Sequence, residues 1–187
     1  MCGRLAGVCH RSRGYGGRMN NDPTPPVLGT HAPHFSLPRT TYESVTLADL
    51  TGRPVVLVFY PGDWEPVSRQ QLALYQDYLS EFTALGAGLL GISADHVWSH
   101  GAFARAANLR YPLLSDAHPR GAVARTYGVY DAQADRSKRA LFVLDEEGIT
   151  RWSQTCPAAV NPGVDGILGA LESLVSRPSV NEPTQKP

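Results

Sequence analysis

The chain has 187 residues, 17 basic and 17 acidic side chains, and an apolar share of 42%. That length supports one ordinary domain with a sizeable core, and the balanced charge lacks the electrostatic footprint that nucleic acid selects. The longest aliphatic-aromatic run, residues 55–60, is far too short to cross a membrane, so neither nucleic acid nor membrane is an expected partner.

Three cysteines, Cys2, Cys9 and Cys156, are too few and too odd in number for a disulfide framework. A reducing cytoplasm is the default compartment for that usage. Cys2, Cys9 and His10 fit no zinc spacing, and no metal or cofactor is expected. The first 21 residues carry Arg4, Arg11, Arg13 and Arg18 and no acid, the composition of a transit peptide. Gly3, Gly7, Gly14, Gly16 and Gly17 oppose the amphipathic helix such a peptide needs. Residues 1–26 are therefore read as a disordered arm, in part translated from upstream of a true start at Met19.

Pro23, Pro25, Pro26 and Pro33 make an extended lead-in. Residues 35–37 and 45–47 predict the strands of an N-terminal hairpin, and residues 51–54 a turn. Residues 55–60 are a continuous apolar, β-branched-rich run, the pattern of a strand buried on both faces. Pro61-Gly62-Asp63 ends it. From 67 to 85 the period changes: Leu72, Tyr75, Leu79 and Phe82 recur every three or four residues, predicting one amphipathic helix closed by Gly86. A second buried strand is expected over 87–93, a second helix over 97–108, a short extended piece over 111–114 and a helical turn over 122–127. Residues 139–144 and 150–154 read as strands joined by the loop Asp145-Glu146-Glu147-Gly148. Residues 163–175 predict a closing helix with Ile167, Leu168, Leu171 and Leu174 inward. Residues 177–187 hold three prolines and little to bury, and are read as a disordered tail. Strands alternating with helices predict parallel pairing in one layered α/β domain over 27–176, with antiparallel strands added by the late hairpin.

The segment Phe59-Tyr60-Pro61-Gly62-Asp63-Trp64-Glu65-Pro66-Val67-Ser68 lies at a strand-to-helix junction. It resembles the active-site loop of the peroxiredoxins, the alkyl hydroperoxide reductase C and thiol-specific antioxidant family, whose loop reads Pro-x-x-x-Thr-x-x-Cys. Pro61 keeps the proline, Glu65 stands at the Thr position and Ser68 at the Cys position. Ser137-Lys138-Arg139-Ala140-Leu141-Phe142-Val143-Leu144-Asp145 resembles the second family signature, with Arg139 at the arginine that faces the active site. Val97-Trp98-Ser99-His100 resembles a stretch where close relatives carry a resolving cysteine, here Ser99. Gly91-Ile92-Ser93, Tyr111-Pro112-Leu113-Leu114-Ser115-Asp116 and Ala124-Arg125-Thr126-Tyr127-Gly128-Val129 extend the likeness over roughly residues 27–175. The resemblance implies a thioredoxin-like α/β fold, with a central mixed β-sheet flanked by helices and an N-terminal β-hairpin. It also implies thiol-peroxidase lineage and a homodimer.

Peroxide reduction needs a thiolate that attacks oxygen and becomes a sulfenic acid. The family lowers that thiol's pKa with a helix N-terminus and the arginine. A serine hydroxyl supplies neither the ionisation nor the sulfur. Glu65 compounds the change: its carboxylate is expected to pair with Arg139, with bidentate geometry available, and to fill the former peroxide pocket. A single engineered Cys→Ser exchange would account for Ser68 but not for Glu65, which favours natural divergence.

The expectation is an antioxidant- or redoxin-type scaffold acting as a pseudoenzyme: a binding or regulatory module with a small-molecule or protein ligand at that pocket. The alternative is an oxidoreductase that reduces hydroperoxides through another thiol, Cys156, so enzymatic status stays open. The bland reading of Cys156 is a buried, inert thiol at a strand end. Ser68 as a hydrolase nucleophile would need a base such as His100, and no Gly-x-Ser-x-Gly elbow is present. Asp95, His96 and His100 have a spacing open to metal binding, but capping and solvating a helix start is the favoured reading.

Overall fold

A computed structural model describes residues 24–176. Most of the expected arm and the whole expected tail, with Cys2, Cys9, His10 and Met19, lie outside the described residues. In chain order the elements are β1 (Ser36–Pro38), β2 (Ser44–Thr46), a 3-10 turn at Ala48–Leu50, β3 (Val55–Phe59), α1 (Pro66–Asp77), α2 (Leu79–Ala84) and β4 (Gly88–Ser93). There follow α3 (Val97–Ala106), β5 (Leu113–Ser115), α4 (Ala122–Thr126), β6 (Tyr130–Asp131), β7 (Arg136–Ser137), β8 (Arg139–Leu144), β9 (Thr150–Cys156) and α5 (Asp165–Val175).

The apolar run becomes the central strand because both of its faces are needed. Val55, Leu57 and Phe59 enter one core cluster; Val56, Val58 and Tyr60 enter the other. Around β3 the sheet runs β5-β4-β3-β8-β9, with β3, β4 and β5 parallel and β8 and β9 antiparallel. The N-terminal hairpin and α4 contribute to the first core. There Phe59, Tyr127 and Phe142 form three ring contacts with centroids 5.1, 5.3 and 5.7 Å apart. Such pairs add about 0.5–1.5 kcal/mol each beyond the burial of their surface. Leu72, Tyr75, Phe82, Phe103, Ile167 and Leu171, from α1, α2, α3 and α5, fill the second core. This is the expected thioredoxin-like α/β arrangement: a mixed sheet between helices with a hairpin in front. Among the described residues no helix is long and apolar enough to cross a membrane.

Three local differences have physical causes. The helix expected over 67–85 divides at Tyr78, whose backbone sits at φ −95°, ψ 14°. Leu79 and Phe82 keep their places in the second core across the break, so the apolar stripe does not record it. The β6–β7 hairpin was not expected: two-residue strands carry no period, and its turn is closed by Asp135 at φ 50°. The extended piece expected over 111–114 joins the sheet as the edge strand β5, two residues later. Its close approach explains Gly91: a Cβ there would sit 2.5 Å from Leu113 Cδ2.

The sheet also positions the site. Antiparallel pairing sets Ala140 opposite Phe59, which places the first residue of β8, Arg139, beside the carboxyl end of β3 and the start of α1.

Candidate active site

Pro66 at the first helical position starts α1 and Glu65 caps it, with an extended backbone at φ −72°, ψ 129°. The Glu65 carboxylate is held from three sides. Its Oε1 accepts from the Val67 amide at 3.1 Å. Its Oε2 accepts from the Ser68 amide at 2.6 Å, the Ser68 hydroxyl at 2.7 Å and Arg139 Nη2 at 2.9 Å. Burial alone would push the Glu65 carboxyl up. The Ser68 hydroxyl, the two amides and Arg139 outweigh it and hold the group below its usual range. Ser68, in the first turn, is fully buried, and its proton goes to Glu65. Pro61 is buried in the loop between β3 and α1.

Arg139 is 0% exposed and every donor of its guanidinium is engaged. Nε donates to the Ala158 carbonyl at 3.2 Å. Nη2 donates to that carbonyl at 2.7 Å and to Glu65. Nη1 donates to Gln71 Oε1, and at 3.5 Å lies at the limit of contact with Ser68 Oγ. The ion pair has a single N–O contact and does not use the bidentate geometry available to it, because Gln71 and Ala158 take the remaining donors.

Gln71 and Ala158 are the residues that sequence reasoning missed. Gln71 had a signal: a polar side chain three residues after Ser68, on the stripe that buries Leu72 and Tyr75. Its Nε2 donates to the Tyr75 hydroxyl at 3.0 Å, which donates in turn to Gly163 O at 3.1 Å. Ala158 had none, since it acts through its backbone.

Behind the loop, Asp63 and His100 are buried side by side, with Nδ1 2.9 Å from Oδ1. His100 Nε2 is 3.1 Å from Leu114 O, which only accepts, so that nitrogen carries a proton. The Tyr60 hydroxyl donates to Asp63 at 2.8 Å. Burial first, and then the charge of Asp63, push its phenol well up, so it stays a donor.

With both ring nitrogens engaged and the Ser68 proton on Glu65, His100 is not a base for Ser68. Asp95, His96 and His100 do not converge either. Asp95 Oδ2 accepts from the Asp63 amide at 2.9 Å and the Ser93 hydroxyl at 2.8 Å, while His96 stacks edgewise on His118. Nor does His96 cap α3 with its side chain. Ser99, in the first turn of α3, accepts from Trp64 Nε1 at 3.2 Å. Cys156 ends β9 opposite Arg139 in register, 5% exposed, with Gln154 Nε2 3.5 Å from its sulfur.

A family model described as the AhpC/TSA family matches residues 28–153. Peroxiredoxin 2 of Thermoplasma acidophilum is 31% identical over 153 residues, covering 79% of this chain and 75% of that protein. Alkyl hydroperoxide reductase E of Mycobacterium tuberculosis is 35% identical over 128 residues, covering 68% of this chain and 84% of its own. Among solved structures, reduced 2-Cys peroxiredoxin of Plasmodium vivax superposes with a TM-score of 0.74 at 26% identity, over 81% of this chain and 83% of that one. Peroxidoxin BcpB of Mycobacterium tuberculosis gives 0.69 at 30% identity, over 79% and 97%.

Proposed function

Because the chain belongs to the AhpC/TSA family, we propose that it uses a peroxiredoxin scaffold as a binding or regulatory module and reduces no peroxide through a loop cysteine. In this reading Ser68 stands at the Cys position, Glu65 at the Thr position and Ser99 at the resolving position. Residues 27–176 act as the unit, as a homodimer in the cytoplasm; β9 is the last strand of the sheet, and its outer edge past Thr150, where Gly29 and Thr30 pair with it, supports self-association.

The observation that carries the reading is the engagement of Arg139. A peroxide held for attack needs donors on its oxygens, yet the guanidinium already gives its own to Glu65, Gln71 and Ala158. Serine adds the second obstacle, since its oxygen forms no sulfenic acid.

A second reading, thiol-dependent hydroperoxide reduction through Cys156, is favoured by one observation: that residue pairs with Arg139 across β8 and β9. Peroxide consumption by the purified chain, with a dithiol reductant, separates the two. The first reading expects no turnover above the Cys156→Ser variant. Saturable turnover that disappears in Cys156→Ser establishes the second and removes the first.

A further inference from the structure

Between the end of β9 and the start of α5 the chain runs as a strap, residues 157–163. Pro157 ends the strand. Gly163, at φ 72°, turns the chain toward α5 with open space where a Cβ would stand. Every residue of the strap is exposed or half-buried, and none belongs to either core cluster. Among the described residues its backbone makes no hydrogen bond to backbone outside the strap. The Val160 amide turns back to Pro157 O, and the Gly163 amide to Asn161 Oδ1. Two side chains pin it. Arg139 donates through Nε and Nη2 to the Ala158 carbonyl, and Tyr75 donates its hydroxyl to the Gly163 carbonyl.

The two pins are parts of one network. Gln71 Oε1 accepts from Arg139 Nη1 while its Nε2 donates to the Tyr75 hydroxyl. A continuous chain of bonds therefore starts at Glu65 and ends on both anchor points of the strap. Beneath the strap lies Cys156. It alternates along β9 with Gln154 and Trp152, and a Cβ on Gly166 of α5 would meet both of those side chains, so this is the face that α5 and the strap cover. Burial pushes the Tyr75 phenol up, and Cys156 is close enough to add to the rise. Cys156 and Pro157 also line a cleft of about 230 Å³, yet Cys156 is only 5% exposed. A segment with few apolar contacts and few backbone bonds opens more readily than the core beside it.

We infer that the strap is a gate on Cys156, held shut by Arg139 and Tyr75, so that an occupant of the loop site that moves Arg139 or Gln71 sets how often this thiol is uncovered. The inference deepens the regulatory reading, on which it rests for the occupant, by giving the loop site an output. Opening lifts the Ala158 and Gly163 carbonyls off their donors into water. It leaves α5 docked through Ile167 and Leu171.

The test is labelling of Cys156 by iodoacetamide in the full chain at low urea concentrations, read from the mass of its peptide and compared with the unfolded chain. Opening of the strap alone exposes little surface. The rate is therefore expected below that of the unfolded chain and nearly independent of urea. Tyr75→Phe removes one pin and raises the rate about fivefold. Asn161→Ala loosens the strap itself and raises it by a smaller factor. Phe142→Leu lowers global stability from the other core and leaves the low-urea rate unchanged. Gln71→Leu raises the rate, and with Tyr75→Phe gives less than the product of the two effects, because both act on one network. Urea unfolding followed by circular dichroism confirms that each variant is folded under the labelling conditions. A wild-type rate that follows global unfolding, a rate equal to that of the unfolded chain, or no change in Tyr75→Phe overturns the gate. Effects that multiply in the double variant overturn its coupling to the loop site. Peroxide turnover enters none of these readouts, so this proposal and the preceding one fail separately.

Discussion

The 2.7 Å hydrogen bond from Ser68 to Glu65 sets what a thiol would meet at that position. In Ser68→Cys an ionised sulfur would face a carboxylate at contact distance. Like charges about 4 Å apart repel by several kcal/mol at an effective dielectric constant near 20, and Glu65, 26% exposed, is partly screened. The thiol is expected above the ordinary value of about 8.5. Adding Glu65→Thr removes the opposing charge and returns Arg139 Nη2, so the double variant should titrate lower by about one to two units. The pH dependence of alkylation at position 68, read by peptide mass, measures both; equal values would defeat the argument. The Glu65–Arg139 contact was legible in the sequence because both residues fall on motif positions that face one site. The full coordination of Arg139 was not, since a backbone carbonyl and an amide three residues along the helix have no place in the motif.

At the scale of the element, Glu65 is the N-cap of α1 as well as the partner of Arg139. Glu65→Ala removes the carboxylate that accepts from two backbone amides at the helix start and leaves a buried guanidinium short of one partner. Caps contribute about 1 kcal/mol, and breaking a buried pair costs about 3–5, reduced here by the carboxylate's partial exposure. We expect a loss of about 2–4 kcal/mol in urea unfolding, against about 0–1 for Glu147→Ala, whose contact with Arg151 is 4.0 Å and exposed.

The pH dependence follows from the lowered Glu65 pKa. Its contribution is fully present above the unfolded value near 4.3 and is lost as pH falls through the lower folded value. The stability gap between the wild type and Glu65→Gln should therefore be constant from about pH 6 to 5 and shrink below about pH 4. A gap that widens in acid would contradict the assignment. Long elements with a clear period were legible at this scale. The break at Tyr78 was not, because its neighbours keep the apolar spacing without a proline or glycine to mark the kink.

Across the whole molecule, the sheet could be anticipated from one run of six apolar residues and the alternation around it, since a strand buried on both faces demands helices on both. The antiparallel sense of the late hairpin could be anticipated too, but the strand order, with β8 between β3 and β9, could not, because register depends on contacts distant in sequence. The same distance governs the network around Arg139. Its bond to Glu65 joins residues 74 apart, and its bond to Gln71 residues 68 apart. Closing a loop of that length costs about 4 kcal/mol of chain entropy before either bond forms. These contacts therefore belong to the late, native side of the folding barrier. In a chevron experiment Glu65→Ala should leave the refolding arm nearly in place and raise the unfolding rate roughly thirtyfold or more, by the whole of its stability loss. A slowed refolding arm would place the contact in the nucleus instead. On this account the arginine governs how long each molecule stays folded, and therefore its survival against proteases that act faster than reclosure, while the rate of reaching the native state is set elsewhere in the sheet.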